Sequence, residues 1–98
     1  MMFMVIERFK HRDAKPVYER FLKEGRKTPD GLSYVGSWVE ANFERCFQLI
    51  ECDDASLLQR WVFEWRDLVE FEFIPVTSSE ETLNWIKPAL NPSAPPEN

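Results

Sequence analysis

LSYVGSWVEANFERCFQLIEC, residues 32–52, decides the fold. Both ends of the stretch are rich in Val, Ile, Phe, Tyr and Trp, which suit a pleated, half-buried surface. Between them Glu40, Ala41, Asn42, Phe43 and Glu44 make a polar cluster with the length of a hairpin loop around a turn-forming Asn. With the turn centred on Asn42, Trp38 faces Cys46, Gly36 faces Gln48 and Tyr34 faces Ile50 on one side of the ribbon. Ser37 with Phe47 and Val35 with Leu49 then fall on the other side. The second set suits a dry layer under helices; the first mixes aromatic surface with hydrogen-bonding capacity. A slip of one residue in one arm exchanges that arm's sides, so the face assignment rests on register.

Upstream, Met2–Phe9 reads as a buried strand whose odd residues Phe3, Val5, Glu7 and Phe9 oppose the even residues Met4, Ile6 and Arg8. Asp13 is a natural cap, and Pro16 fits a first helical turn, where its missing N–H costs nothing. Val17, Tyr18, Phe21, Leu22 and Gly25 then recur at the spacing of an amphipathic helix. Pro29, Asp30 and Gly31 supply the turn into the hairpin. Downstream, Asp53 and Asp54 offer a helix N-cap, and Leu57, Leu58, Trp61, Val62 and Trp65 form a one-sided stripe that core packing explains, with Phe63 off it.

Leu68–Thr77 alternates Val69, Phe71 and Phe73 against Glu70, Glu72 and Ile74, and Pro75 marks a free edge or a strand end. Ser78 and Glu81 fit a capping box for a short helix through Leu83, Trp85 and Ile86, with its stop expected at Pro88. The chain therefore divides into a domain over residues 1–78, a short helix over 79–88 and a Pro-rich tail over 89–98 expected to be disordered.

The order strand, helix, strand, strand, helix, strand is a ferredoxin-like α+β sandwich, βαββαβ, with a four-stranded antiparallel sheet. Right-handed crossovers make the Met2 strand and the strand beginning near Glu44 central neighbours, with the other two at the edges. Helices cover one face. The other is expected to carry Phe3, Val5, Tyr34, Trp38, Ile50 and Ile74, an apolar surface too large to leave to water and so an interaction face.

Ninety-eight residues with 44% hydrophobic content hold one core. Twelve Lys and Arg against 17 Asp and Glu give a net charge of -5, which opposes attraction to nucleic acid or an anionic membrane. The strand at Arg45–Cys52 also lacks the basic and aromatic pattern of an RNA-recognition module. No stretch approaches the ~18 apolar residues of a membrane span, and Met1–Ile6 is too short for a signal sequence. Cys46 and Cys52 lie on one strand about 20 Å apart at ~3.3 Å per residue, far beyond the ~7 Å a disulfide tolerates. Two free thiols and one His favour a reducing cytoplasmic setting, with no metal site and no cofactor.

The phrases MVIERF, KPVYERF, EGR, GLSYVGSWV, RCFQLIE and DLVEFEFIPV together resemble the small bacterial family known as domain of unknown function 3303, grouped with the dimeric α+β barrels. The resemblance covers about residues 1–80, leaving the Trp85 segment outside. It implies a homodimer whose two sheets face each other, and no reaction, since the family brings no catalytic residues to carry over.

On the open face the alternation sets Glu7 beside Gln48, with Trp38 and Tyr34 on one adjoining edge and Glu70 and Glu72 on the other. The candidate ligand-binding residues are Glu7, Trp38, Gln48, Tyr34 and Glu72. A carboxylate walled by aromatics is desolvated, which raises its pKa and equips it to accept a proton near neutral pH. The simpler reading is that Glu7 and Gln48 hydrogen-bond each other or a partner subunit. His11 has no second ligand near it, and Cys46 is most simply a small buried hydrophobe. The functional expectation is a homodimer that binds a small organic ligand or a protein partner at the enclosed sheet face. The alternative is a cofactor-independent enzyme, monooxygenase- or isomerase-like, acting on a small aromatic or polar substrate.

Overall fold

A computed structural model describes residues 1–91, and in it the strands and helices fall where the periodicities place them. In order they are β1 (Met2–Phe9), a 3-10 turn at Lys10–Arg12, α1 (Lys15–Glu24), β2 (Ser33–Val39), β3 (Arg45–Glu51), α2 (Ala55–Trp65), β4 (Val69–Val76) and α3 (Ser79–Leu90). The four strands form one antiparallel sheet in the order β2-β3-β1-β4, the ferredoxin-like α+β arrangement, with β1 and β3 central.

Local chemistry sets the helix ends. The Asp13 carboxylate accepts from the backbone N–H of Lys15 at 3.1 Å, and Gly25 leaves α1 at φ +74°, a conformation that spares it the Cβ clash. Asp54 accepts from Ser56 N–H at 2.9 Å at the start of α2, and Ser78 accepts from Glu81 N–H at 3.0 Å at the start of α3. The expected stop at Pro88 is not where α3 ends; the helix continues to Leu90. A proline two residues before a helix end removes one backbone bond close to where the ladder would stop anyway. Of the tail expected over residues 89–98, the first two residues finish α3, and 92–98 lie outside the described residues.

The core lies between the sheet and α2. Val5 and Ile50 are fully buried and Trp61 is 1% exposed, with Leu58, Trp65 and Val69 around them. The Trp61 ring tilts against Phe71 at 5.4 Å between centroids, and Phe71 stacks on Phe73 at 5.9 Å. Both α2 indoles donate to one acceptor: Trp61 Nε1 and Trp65 Nε1 reach the backbone carbonyl of Arg26 at 3.0 and 2.9 Å. Arg20 on α1 grips Asp67 in the α2–β4 turn through two hydrogen bonds of 2.9 and 2.6 Å, which holds the Asp67 carboxyl down to about 2. Leu22, expected on the packed stripe of α1, is exposed. It sits about 100° round the helix from Phe21, which does pack on the core.

The expected hairpin register holds at one end only. Ser33 opposes Glu51 and Tyr34 opposes Ile50, as the turn at Asn42 requires, but Gly36 opposes Leu49, Ser37 opposes Gln48 and Trp38 opposes Phe47. Val35 is an extra residue, a β-bulge. The loop end is set by Glu40 N–H donating to the Arg45 carbonyl at 2.9 Å and by Phe43 at φ +61°. The open end is set by burial of Ile50. The two demands differ by one residue, and the bulge absorbs the difference.

The assignment of faces is corrected with it. Val5 pairs with Gln48 and with Phe73, and Glu7 with Cys46 and Phe71, all on the side the helices cover. The open face carries one row of Gly36, Leu49, Met4 and Ile74 and a second of Trp38, Phe47, Ile6 and Glu72. Phe3, Val5 and Ile50 belong to the covered side, while Phe47 and Leu49 belong to the open one.

Trp61→Ala should lose about 3 to 5 kcal/mol of unfolding free energy in urea titration, the range for removing a buried large aromatic side chain. Trp61→Phe keeps a ring but removes one of the two indole donors at Arg26, so most of that loss should be spared.

Candidate functional site

Glu7 and Gln48 occupy neighbouring central strands and both face the helix layer, where water cannot reach them freely: they are 7% and 4% exposed. Gln48 Nε2 donates to Glu7 Oε1 at 2.8 Å. The mutual hydrogen bond is therefore present, inside the subunit and not on the open sheet face. Around the pair lies a cavity of about 110 Å³ between α1 and the sheet, lined also by Tyr18, Phe21, Arg26, Ser37, Val39 and Cys46. Its most solvent-exposed lining side chains are Val39 and Tyr18, which mark its mouth.

Desolvation dominates the electrostatics. It pushes the Glu7 carboxyl above its ordinary value, against the hydrogen bond from Gln48 and the attraction of Arg26, both of which favour the charge. Cys46, opposite Glu7 on β3, has its thiol pushed up to about 12 by burial and by the Glu7 carboxylate, so it is protonated at neutral pH. The Tyr18 hydroxyl is raised too, first by burial and then by Cys46 and Glu7. Glu7 is thus the one carboxyl in the cavity lining, and burial shifts it toward its protonated form.

Gln48 Oε1 is the one buried side-chain oxygen or nitrogen among the described residues with no hydrogen-bond partner. A buried carbonyl left without a donor is costly, and Gln48 lines the cavity.

The other three expected site residues go elsewhere. Trp38 is 59% exposed on the opposite face, its ring lying over Gly36 beside Phe47. Glu72 is on that face as well, where it accepts from Arg8 at 3.1 Å. Both are on the open face where the sequence places them; it is Glu7, Gln48 and Tyr34 that face the helices instead, so the expected set is split between the two sides of the sheet. Tyr34 lies on the covered side at the edge; its hydroxyl bonds Ser37 at 2.8 Å, and its ring carries the Arg26 guanidinium at 3.7 Å. Sequence reasoning missed Arg26, Tyr18 and Phe21 as cavity residues. Arg26 follows the end of α1 and has no periodicity to betray it, while Tyr18 and Phe21 were read as helix packing alone.

Among the described residues no group of three or more His, Cys, Asp or Glu side chains could hold a metal ion. A second depression, at the far end of β1, is lined by Arg8, Lys10, His11, Arg12, Glu44, Arg45 and Glu70. Its cations are engaged: Arg8 with Glu72, Arg12 with Glu44, Arg45 with Glu40, and Lys10 with the Arg66 carbonyl.

Residues 1–90 match a family described as a domain of unknown function, DUF3303. The chain belongs to the DUF3303 family. The match runs ten residues beyond the expected limit and takes in Trp85, so α3 is part of the shared sequence and not an addition to it. No curated protein and no solved structure matches the chain.

The raised Glu7 carboxyl gives a signed pH dependence. The folded protein holds this proton to a higher pH than the unfolded chain does, so the stability it contributes is full below the ordinary carboxylate value and is lost as pH rises through the folded one. Glu7→Gln lacks that loss. Its melting temperature relative to wild type should therefore climb as pH rises above the ordinary carboxylate range; Asp67 and the other carboxylates are common to both proteins and cancel in the difference. A gap that stays flat would mean that Glu7 is not desolvated. Both thiols, free and buried, should react with a disulfide reagent only after denaturation.

Proposed function

We propose that this DUF3303 protein is a homodimer that closes its open sheet faces on each other and binds a small organic molecule inside each subunit, in the cavity beside Glu7 and Gln48. The observation that carries the ligand reading is the unpartnered Gln48 Oε1, a buried acceptor on a cavity wall. A ligand hydroxyl or N–H donated to it would remove the cost of leaving it bare. Aromatic and aliphatic neighbours would supply the apolar remainder, the usual division in small-molecule pockets. The interior location replaces the enclosed sheet face as the place for a ligand, because the open face has apolar rows and ion pairs but no buried polar group in need of a partner.

For the dimer, the support is two rows across the open face, apolar except for Glu72 at the β4 edge, and α3, none of whose residues is buried and whose Trp85 is 60% exposed. Contiguous apolar surface of this kind marks an interface. The two free thiols fit a reducing, cytoplasmic setting. No helix among the described residues is long and apolar enough to cross a membrane.

A second reading has one observation of its own, the raised Glu7 carboxyl. In it the protein is a cofactor-independent, isomerase-like enzyme: the Glu7 carboxylate takes a proton from one substrate atom and returns it to another, with no net oxidation. Glu7→Gln would then keep ligand binding and lose turnover.

Phenol, a small ring with one donor, tests the ligand site. It should raise the melting temperature of wild type and leave that of Gln48→Met unchanged; no shift in wild type at millimolar phenol would sink the cavity reading. Light scattering should give about twice the chain mass of 11.7 kDa. Phe47→Glu should halve it while far-UV circular dichroism stays native, since Phe47 faces away from the core.

A further inference from the structure

Arg26 is unlike the arginines around it. Arg8, Arg12, Arg20 and Arg45 each hold a carboxylate, whereas the Arg26 guanidinium has no hydrogen-bond acceptor or ion-pair partner among the described residues. It is held all the same. Its plane rests on the Tyr34 ring at 3.7 Å and near the Phe21 ring at 5.1 Å, and its own backbone carbonyl is fixed by the two α2 indoles. A guanidinium oriented by two rings, lining a cavity and lacking an anion, is preorganised for a carboxylate, which its fork matches with two parallel bonds.

We infer that the cavity ligand is a small anionic ring compound carrying a hydroxyl, its carboxylate on Arg26 and its hydroxyl donated to Gln48 Oε1. The inference rests on the ligand reading above and names its chemical class. Size sets a limit: an apolar cavity of about 150 Å³ holds a benzene ring, so about 110 Å³ is tight for one ring, and a larger ligand has to extend through the mouth. Tyr18 and Phe21 give that ring aromatic neighbours.

Glu7 adds a condition. The groups facing it are Gln48 and Cys46 on β3, Tyr18 on α1 and Arg26 after α1, while α2 and β4 present only apolar and indole groups. Cys46 and Tyr18 stay protonated through the neutral range, so the charge an incoming carboxylate meets is that of Glu7. Two carboxylates sharing Arg26 repel, and binding is relieved if Glu7 takes up a proton. Affinity for the anion should therefore rise as pH falls toward the ordinary carboxylate range, and the rise should vanish in Glu7→Gln.

The test is calorimetric titration of the full chain with phenol, benzoate and the three hydroxybenzoate isomers, on wild type, Arg26→Gln and Glu7→Gln. Arg26→Gln keeps the carbonyl that Trp61 and Trp65 bind, so the fold is retained. One hydroxybenzoate isomer should bind wild type more tightly than phenol or benzoate, and Arg26→Gln should weaken it about 10- to 100-fold while leaving phenol unaffected, the range for losing a charge-assisted pair. If phenol binds and no hydroxybenzoate exceeds it, or if Arg26→Gln leaves the preference intact, the anionic class is overturned and the cavity reading stands. If neither phenol nor any hydroxybenzoate binds, both fall.

Discussion

One backbone carbonyl, that of Arg26, holds the helical layer together. Two indole N–H groups from successive turns of α2 end on it, so the chain leaving α1 is tied to α2 before it turns into the hairpin. The tie has consequences in three directions. It sets the depth at which Trp61 enters the core against Phe71. It fixes the spacing between α1 and the sheet, which is where the cavity lies. It also leaves the Arg26 side chain free to lie on Tyr34 and Phe21, because the backbone, not the guanidinium, makes the structural contacts.

The buried Glu7 is the opposite kind of feature, one that costs stability. A carboxylate on a central strand beneath a helical layer is offset only in part by one hydrogen bond from Gln48 and by the Arg26 charge across the cavity, and burial still holds its proton above the ordinary value. A leucine of similar volume would pack there without that penalty. A polar pair that leaves one carbonyl unsatisfied and one carboxyl displaced is poor architecture and good chemistry, which is why the functional reading is placed there.

Much of the fold could be read from the sequence because each element advertises itself locally. The α2 stripe, the Asp54 and Ser78 caps, the β4 alternation and the loop around Asn42 are short-range signals, and each element appears where its signal lies. The choice of sheet face is a long-range matter: it came out as expected for β4 and Trp38 and failed for β1, β3 and Tyr34. β1 is apolar on both sides, so Phe3 and Val5 against Met4 and Ile6 give no preference. In β3 the more hydrophobic pair, Phe47 and Leu49, faces out, and Gln48 faces in. Hydrophobic patterning assigns those sides the other way round unless the outer face is itself destined for burial. The contact of Glu7 with Gln48 survived the error because two residues that share a face of neighbouring strands stay together whichever side is covered; Trp38 kept its open face but parted from them, because the bulge at Val35 sets it opposite Phe47 and not Cys46.

That inversion connects the two surfaces. On β1 and β3 the residues alternate between the outer rows and the cavity wall: Ile6 beside Glu7, Phe47 between Cys46 and Gln48. A second copy pressed onto Ile6 and Phe47 would immobilise the same backbone that presents Glu7 and Gln48, one residue along on the other side of the pleat. Rigid strands hold a site more accurately than loops do. The apolar outer face and the polar interior are then not separate anomalies. An apolar face that is covered stiffens the sheet, and a stiff sheet can carry a misfit carboxylate and an unsatisfied amide in a fixed geometry until a ligand with the complementary groups arrives.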